Sequence, residues 1–249
     1  HEVKILKMSG HYWKWRMHGG AVTLARKFLN SQFQPDLILA TDMLDLTTFL
    51  ALTRKKTAGI PTAIYFHENQ LTYPWAPTDR DVAKKRDNHY SFINYSSALV
   101  ADRVFFNSAF HKGAFLGELK NFLKHFPDNN ELSSIEQIEA KSAVLPLGLD
   151  LEKFMNHQPP NCRGHVYMAP TIGEQPLVLW NHRWEHDKNP EEFFKALFVL
   201  QEKGLDFQVA ILGENFSKQP RIFENAREKL GERVVHFGFC ETFEEYTKW

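Results

Sequence analysis

The chain has 249 residues, 43% of them hydrophobic, and its 30 Lys+Arg balance 30 Asp+Glu to a net charge of zero. This composition excludes general disorder, and the charge balance excludes nucleic-acid binding by an overall basic excess, though not by a local basic patch. No apolar run approaches the ~18 residues of a membrane-spanning helix. Cys162 and Cys240 are too few for a disulfide framework or a four-ligand zinc site. We therefore expect a cytoplasmic protein with reduced thiols and no membrane association.

The first half of the sequence alternates between strand and helix patterns. His1–Leu6 is typical of a strand that is already under way. Residues 36–41 predict a wholly apolar strand that is buried on both faces. Further strands are predicted at 62–66, 103–106 and 143–146, and helices at 44–56, 81–100 and 108–126. Strands that alternate with helices of this length favour βαβ units and a parallel sheet.

The pattern is interrupted over residues 156–176, which hold four prolines and no clear periodicity and therefore predict a linker. Strands follow at 177–180, 207–212 and 234–237, with helices at 190–203 and 220–230. Asn189 is expected to cap the first of these helices, with Pro190 at its first position. Three strands leave an unprotected sheet edge, which natural domains avoid.

We therefore predict an α/β fold of two Rossmann-like parallel-sheet domains. Residues 1–155 form the first domain, 156–176 the linker and 177–249 the second domain. The chain lacks an initial Met, and Glu241–Trp249 resembles the first turns of a helix without a stop signal. We interpret both domains as truncated.

Open α/β sheets bind ligands beyond the C-terminal ends of their strands, and a cationic loop follows strand 177–180. Arg183 and Lys188 lie in this loop, which leads into a helix N-terminus. Two cations at such a position suit a diphosphate. Because Glu185 and Asp187 lie between them, a surface loop closed by salt bridges is an equally good interpretation.

The same loop contains His182, Glu185 and His186 in the H-x-x-E-H order of inverted zinc peptidases. That motif requires both histidines on one helix, one turn apart. Here the segment directly follows a strand and precedes Asn189-Pro190, so we expect no zinc site.

Polar residues also follow three other strands. His67, Glu68 and Asn69 could take part in proton transfer or bind hydroxyl groups, although a polar loop with a capping Asn is the simpler interpretation. Asn107 and Ser108 are most simply a helix cap. Gly213 permits a close backbone approach and Glu214 could accept hydroxyl protons. Single motifs of this kind are weak, but all four occupy the same topological position.

Near the start of the chain, aromatic and basic residues alternate in Trp13, Lys14, Trp15 and Arg16. Stacking rings combined with phosphate-binding cations are typical of single-stranded nucleic-acid recognition. A loop held by two buried tryptophans is the alternative.

Several of these segments resemble the tRNA-queuosine α-mannosyltransferases, a branch of the retaining GT-B glycosyltransferases. The most specific are Trp180–Pro190 and Phe66–Pro74, supported by Trp13–Arg16, Val100–Ser108 and Phe207–Glu214. The resemblance extends over nearly the whole chain. It implies two Rossmann-like domains facing a cleft, with the family's first strand before His1 and its acidic motif after Trp249.

The resemblance also implies an activity, the transfer of mannose from GDP-mannose to queuosine in the anticodon loop of tRNA-Asp. Arg183 and Lys188 would then bind the donor diphosphate. His67 and Glu68 would be the catalytic-site residues, and Asn69, Asn107, Ser108, Gly213 and Glu214 would be candidates for the sugar pocket. The cations would stabilise the leaving diphosphate, so that no metal or other cofactor is expected.

Acceptor tRNA would bind at Trp13–Arg16. Transfer with retention, in the absence of a second carboxylate, requires the acceptor hydroxyl to attack on the leaving-group side. A GT-B enzyme for a lipid or polysaccharide acceptor, and a non-catalytic fragment that binds a nucleotide sugar or RNA, are the alternatives.

Overall fold

The computed structural model describes residues 2–75, 81, 88–155, 171–172, 175–213 and 220–249. The chain divides into two compact units, His1–Gly148 and Leu149–Trp249. Most of the predicted linker 156–176 lies outside the described residues, so the predicted domain boundaries stay a prediction. Among the described residues, no helix is long and apolar enough to cross a membrane.

The first unit is built on a four-stranded parallel sheet. Its strands, in the spatial order β1-β2-β3-β4, are Ile38–Thr41, Thr62–Phe66, Arg103–Phe106 and Ser142–Val144. The helices are α1 Trp13–Asn30, α2 Leu46–Thr57, α3 Asn88–Val100, α4 Ala109–Leu123 and α5 Ser134–Ala140. Parallel neighbours require crossover connections, which the helices between these strands provide. The strands predicted at 36–41, 62–66, 103–106 and 143–146 are present, whereas the strand predicted at His1–Leu6 is wrong, since residues 2–9 form neither helix nor strand.

Helix α1 corrects the expectation of a loop at the aromatic and basic segment. Met17, Ala21, Ala25 and Phe28 recur at helical spacing and are almost fully buried. The small residues among them allow α1 to pack closely against α2. Trp13–Arg16 is therefore the first turn of an amphipathic helix, with Trp13 on the same face as Met17.

The central strand β2 is buried on both faces, as parallel strands usually are, and Phe66 at its end stacks on Phe106 with ring centroids 5.2 Å apart. Strand β1 differs from the prediction. Leu39 is 62% exposed, while Ala40 beside it is 5% exposed. Ala40 and Ile38 lie on the face of β1 that packs against the core, and Leu39 points to the opposite, exposed face.

The second unit contains α6 Leu151–Met155 and a second four-stranded sheet. Its strands are β5 Thr171–Ile172, β6 Gln175–Asn181, β7 Gln208–Leu212 and β8 Val234–Gly238, in that spatial order. The helices after β6, β7 and β8 are α7 Pro190–Glu202, α8 Ile222–Leu230 and α9 Phe243–Thr247. Strands β6, β7 and β8 are parallel as predicted, and the short antiparallel β5 pairs with Gln175 and Pro176 at the start of β6.

Asn189 does not cap α7 in the expected way. Its backbone adopts a left-handed conformation with φ 53°, and its side chain makes no capping hydrogen bond. Pro190 occupies the first turn as predicted, and Glu191 and Glu192 complement the positive end of the helix dipole. The tight turn at Asn189 follows a short 3₁₀ helix, His186–Lys188, which connects the polar loop to α7.

Candidate functional site

His67 is the first residue after β2, and a buried carboxylate holds it in place. Its backbone N–H donates to Asp42 Oδ1 at 3.1 Å, and its ring Nδ1 lies 3.2 Å from the same oxygen. Asp42 directly follows β1 and is 2% exposed. Burial raises the pKa of the Asp42 carboxyl, and the hydrogen bonds from His67 partly oppose this shift. A proton on Nδ1 leaves Nε2 as the nitrogen that can accept a proton.

Asn107 connects this pair to the end of the next strand. Its Nδ2 donates to the His67 carbonyl oxygen at 2.9 Å, and its Oδ1 lies 3.0 Å from Nδ1 of His111. Ser108 caps α4 as predicted, since its Oγ accepts from the His111 backbone N–H at 3.1 Å. Burial, with the charge of His67 as a second cause, lowers the pKa of His111. The structure thus brings Asp42, His67, Asn107 and His111 together beyond three neighbouring strands.

Asn69 and Glu68 lie in the turn that follows His67. Asn69 is 4% exposed, and its Oδ1 accepts from the backbone N–H groups of Leu71 and Thr72. Its side chain therefore shapes the turn, as the simpler interpretation of this loop predicted. Glu68 is exposed, and its Oε1 accepts from Gln70 Nε2 at 3.2 Å.

The first turn of α1 contributes an aromatic cluster rather than a row of free rings. Trp13 packs against Tyr73, Trp75 and Tyr90 with ring centroids 5.5–6.4 Å apart. Trp15, by contrast, is 65% exposed. Trp13 is therefore part of the folded framework, and Trp15 is the ring on this turn that a ligand can reach.

The two cations of this turn also differ. Lys14 forms an ion pair with Asp81, and its ammonium group lies 5.1 Å from the centroid of the Trp75 ring. Arg16 donates through Nη2 to Ser9 Oγ at 3.0 Å, and its buried Nε has no hydrogen-bond partner among the residues that the structure describes. Arg16 and Trp13 line a surface cleft of about 320 Å³, together with residues of the 6–10 segment and of the end of β1.

In the second unit, Arg183 and Lys188 lie in the loop after β6. Arg183 is paired with Glu185 at 3.1 Å and Lys188 with Asp187 at 2.8 Å. These are the ion pairs that the salt-bridge interpretation predicted. The Arg183 side chain is 56% exposed, so little desolvation would accompany its exchange of Glu185 for another anion.

Trp184 anchors this loop to the core. It is 1% exposed, stacks on Phe223 with centroids 4.6 Å apart, and donates through Nε1 to the Leu212 carbonyl oxygen at 3.1 Å. This anchoring role of Trp184 could not be predicted from the sequence, because a residue in a loop has no periodicity that indicates burial of its side chain.

Gly213 follows β7 and allows the loop after β6 to pack closely against it. Its φ is 132°, and a Cβ atom at this position would lie 2.1 Å from the His182 carbonyl oxygen. The close backbone approach expected of Gly213 is therefore present, whereas Glu214 lies outside the described residues. His182, Glu185 and His186 span a bend and the start of a 3₁₀ helix rather than an α-helix, which excludes the peptidase geometry.

The comparisons with solved structures identify the class of fold. The chain is similar to the apo structure of OtsA, with a TM-score of 0.56 and 14% identity over 97% of this chain and 55% of that one. A structure of E. coli trehalose-6-phosphate bound with UDP-2-fluoro glucose matches with a TM-score of 0.55 and 14% identity, over 96% and 54% of the two chains. The fold is that of GT-B glycosyltransferases, built from Rossmann-like units, as predicted.

The family follows from sequence comparison. A family model for the N-terminal region of tRNA-queuosine alpha-mannosyltransferases matches residues 1–149. The Drosophila melanogaster tRNA-queuosine alpha-mannosyltransferase is 36% identical over 99% of this chain, which spans 63% of that relative's length. The chain belongs to the tRNA-queuosine alpha-mannosyltransferase family, which confirms the resemblance seen in its motifs.

Proposed function

We propose that this protein transfers mannose from GDP-mannose to queuosine in the anticodon loop of tRNA-Asp, with retention of the anomeric configuration. The observation that carries the proposal is the 36% identity to the Drosophila mannosyltransferase across 99% of the chain. Two segments that carry the resemblance also support it, namely Phe66–Pro74 and Trp180–Pro190. In each of them, polar side chains follow the end of a strand.

His67 is the proposed catalytic residue of the first unit, and Asp42 is its positioning residue. The Asp42 carboxylate accepts from both the backbone and the ring of His67, which fixes the ring and favours a proton on Nδ1. Nε2 then has a lone pair to accept a hydrogen bond from a sugar or acceptor hydroxyl. Glu68 is exposed in the same loop and is proposed to bind hydroxyl groups.

Arg183 and Lys188 are the proposed donor diphosphate ligands. Breaking the glycosyl–phosphate bond builds negative charge on the leaving diphosphate, and cations aimed at it stabilise the transition state more than the ground state. Both side chains are paired with neighbouring carboxylates in the absence of donor, so donor binding is proposed to exchange one anion for another. Gly213 supports this loop through the close approach to His182.

The acceptor is proposed to bind at the first turn of α1. Trp15 is exposed for stacking on an unpaired base, and Arg16 lines the nearby cleft. Because Lys14 is paired with Asp81, we assign it a smaller share of phosphate binding than the sequence alone suggested.

The donor site is tested by steady-state transfer of mannose to queuosine-containing tRNA. Arg183→Ala is expected to lower kcat/KM by an amount that corresponds to roughly 2–4 kcal/mol of lost transition-state stabilisation. Lys188→Ala is expected to have a similar effect. Lys188→Arg is not expected to restore full activity, because a planar fork does not replace a point charge. Lys195→Ala removes an exposed cation from α7 and serves as the matched control. Wild-type kcat/KM in Arg183→Ala would contradict the assignment.

The His67–Asp42 pair is tested in the same assay with GDP affinity as a second measurement. His67→Ala is expected to lower kcat about 10²–10⁴-fold if its nitrogen takes part in proton transfer. Asp42→Asn keeps an acceptor for the backbone N–H but loses the charge, and should lower kcat with little change in KM. His125→Ala, at an exposed histidine of the same unit, is the control.

The acceptor assignment is tested by tRNA binding at several salt concentrations. Arg16→Ala should weaken binding and flatten the salt dependence, since one phosphate contact is lost. Arg26→Ala removes an exposed arginine from the same helix and should change neither. Equal binding of tRNA with and without queuosine, together with no mannose transfer, would favour a different acceptor or a non-catalytic role.

A further inference from the structure

Three metal-ligating side chains converge where β8 meets α9. They are His236 in β8, Cys240 in the connecting loop and Glu245 in α9, and their ligand atoms all lie within 4.8 Å of one another. Cys240 is 8% exposed, while His236 and Glu245 are partly exposed. The cluster is thus buried on the thiol side and accessible to solvent on the other.

The distances within this cluster suit a tetrahedral metal ion. Cys240 Sγ lies 3.7 Å from His236 Nε2. A zinc ion with Zn–S near 2.3 Å and Zn–N near 2.0 Å holds its sulfur and nitrogen ligands about 3.5 Å apart. The thiol and the imidazole are therefore already at a separation that suits one ion. That ion would replace the hydrogen bond between His236 Nε2 and the Gly238 carbonyl oxygen, which are 3.2 Å apart.

The main chain around the cluster is fixed by hydrogen bonds. Glu245 Oε2 accepts from the Glu241 backbone N–H at 3.0 Å, and the Glu245 backbone N–H donates to Thr242 Oγ1 at 3.1 Å. The ring of His236 packs on Trp249 with centroids 5.0 Å apart. Such contacts hold ligands in place before an ion binds, which is the usual role of the residues around a metal site.

The chemistry of the ligands selects the ion. One thiolate, one imidazole and one carboxylate form a set that zinc accepts, with a fourth position left for water, whereas Ca²⁺ and Mg²⁺ require oxygen ligands. Burial, and then the charge of Glu245, raises the pKa of the Cys240 thiol. A bound cation acts against this shift, because it takes the place of the thiol proton and attracts the Glu245 carboxylate.

We propose that His236, Cys240 and Glu245 form a zinc site that ties α9 to the end of β8. The thiol proton is released when the ion binds, and no bond is broken or oxidised. The ion would link two elements of the fold, and the proposal places no metal in the transfer reaction itself. The alternative is that Cys240 is simply a small buried hydrophobe beside Leu177, Ala210 and Leu212.

Cobalt(II) titration of the purified chain tests the site, because tetrahedral cobalt bound to a thiolate gives visible d–d bands and a near-ultraviolet charge-transfer band. We expect one equivalent to bind with both signatures in the wild type and in Cys162→Ser, the control for the other thiol. Cys240→Ser should lose the charge-transfer band, and His236→Gln should weaken binding at least tenfold. Zinc should displace the cobalt and raise Tm.

The variants separate the proposal from its alternative. Cys240→Ala is a second variant, in case serine disturbs the buried position, and circular dichroism without metal checks that each variant is folded. Absence of a thiolate band in the wild type would overturn the proposal. So would a band that survives in Cys240→Ser or disappears in Cys162→Ser, or a Tm that zinc leaves unchanged. None of these readouts depends on mannose transfer, so the proposed function can fail without affecting this result.

Discussion

The two units place polar side chains at the same topological position but fix them by different means. In the first unit, His67 is oriented by hydrogen bonds to Asp42, whose side chain is almost fully buried. In the second unit, the loop backbone is anchored by Trp184, while the Arg183 side chain is 56% exposed. Hydrogen bonds set the direction of a ring, whereas an aromatic anchor leaves long cationic side chains able to change rotamer. The first arrangement suits proton positioning, and the second suits charges that follow a ligand.

The largest effect that tests this comparison is expected at the aromatic anchor. Trp184→Ala removes a side chain that is 1% exposed and should lower the free energy of unfolding of the second unit by about 3–5 kcal/mol. Trp184→Phe keeps the stacking on Phe223 but loses the hydrogen bond to Leu212, and should cost about 1 kcal/mol. Urea denaturation measures both.

The control for this prediction is Phe239→Ala in the same unit. Phe239 is 59% exposed, so its loss should change the free energy of unfolding by no more than about 0.5 kcal/mol. Similar losses in Trp184→Ala and Phe239→Ala would mean that the loop is not held by its buried tryptophan.

Gly213 and Gly238 offer a matched pair that isolates the close backbone approach. Their φ values are 132° and 129°, so alanine is strained at either position by about 1–3 kcal/mol. At Gly213 the new Cβ would also meet the His182 carbonyl oxygen, at 2.1 Å, whereas no atom of the described residues lies within 4 Å of a Cβ at Gly238. Gly213→Ala should therefore unfold at a lower urea concentration than Gly238→Ala. Equal midpoints would show that the loop moves aside freely.

The parallel strands of both sheets could be predicted from sequence because short apolar runs are bounded by clear turn signals, whereas the two-residue β5 lies in the segment predicted as a linker. Helix α1 could not, since its core face at Met17, Ala21 and Ala25 is made largely of small residues. The aromatic and basic residues of its first turn favoured the interpretation of this segment as a loop.

For the candidate site, only its position beyond the strand ends could be predicted from the sequence. Asn107 and His67 follow strands, so the rule for strand ends found them. Asp42 follows a strand too, but its role depends on the pairing of Thr41 with Tyr65, which places it beside His67 across 25 residues of sequence. Register between strands is a tertiary property, and a single sequence without an alignment does not reveal it.

The buried network of the first unit predicts a specific pH dependence. Burial lowers the pKa of His111, so the unfolded chain takes up the proton first as the solution is acidified. The stability that His111 provides is present above the ordinary histidine pKa of about 6.5 and is lost as the pH falls toward the lowered value. The loss should not exceed about 1.4 kcal/mol per pH unit.

His111→Gln removes the titratable imidazole and should make the free energy of unfolding less dependent on pH below about 6.5. His125→Gln, at an exposed histidine just after the C-terminal end of α4, is the control and should follow the wild type. Denaturation curves at closely spaced pH values compare the three proteins. A pH dependence in His111→Gln equal to that of the wild type would place the responsible group elsewhere, with His18 as the next candidate because burial lowers its pKa as well.

The smallest effect on stability is expected at the ion pair of Arg183 with Glu185. Both groups are partly solvated, so Glu185→Gln should change the free energy of unfolding by less than about 1 kcal/mol, and less still at high salt. The same substitution removes the anion that a donor diphosphate would have to displace. GDP affinity, measured by calorimetry, should therefore rise in Glu185→Gln. Asp206→Asn breaks an exposed pair with Arg233 in the same unit and should leave GDP affinity unchanged. A loss of more than about 2 kcal/mol of stability in Glu185→Gln would show that charge, rather than Trp184, holds the loop.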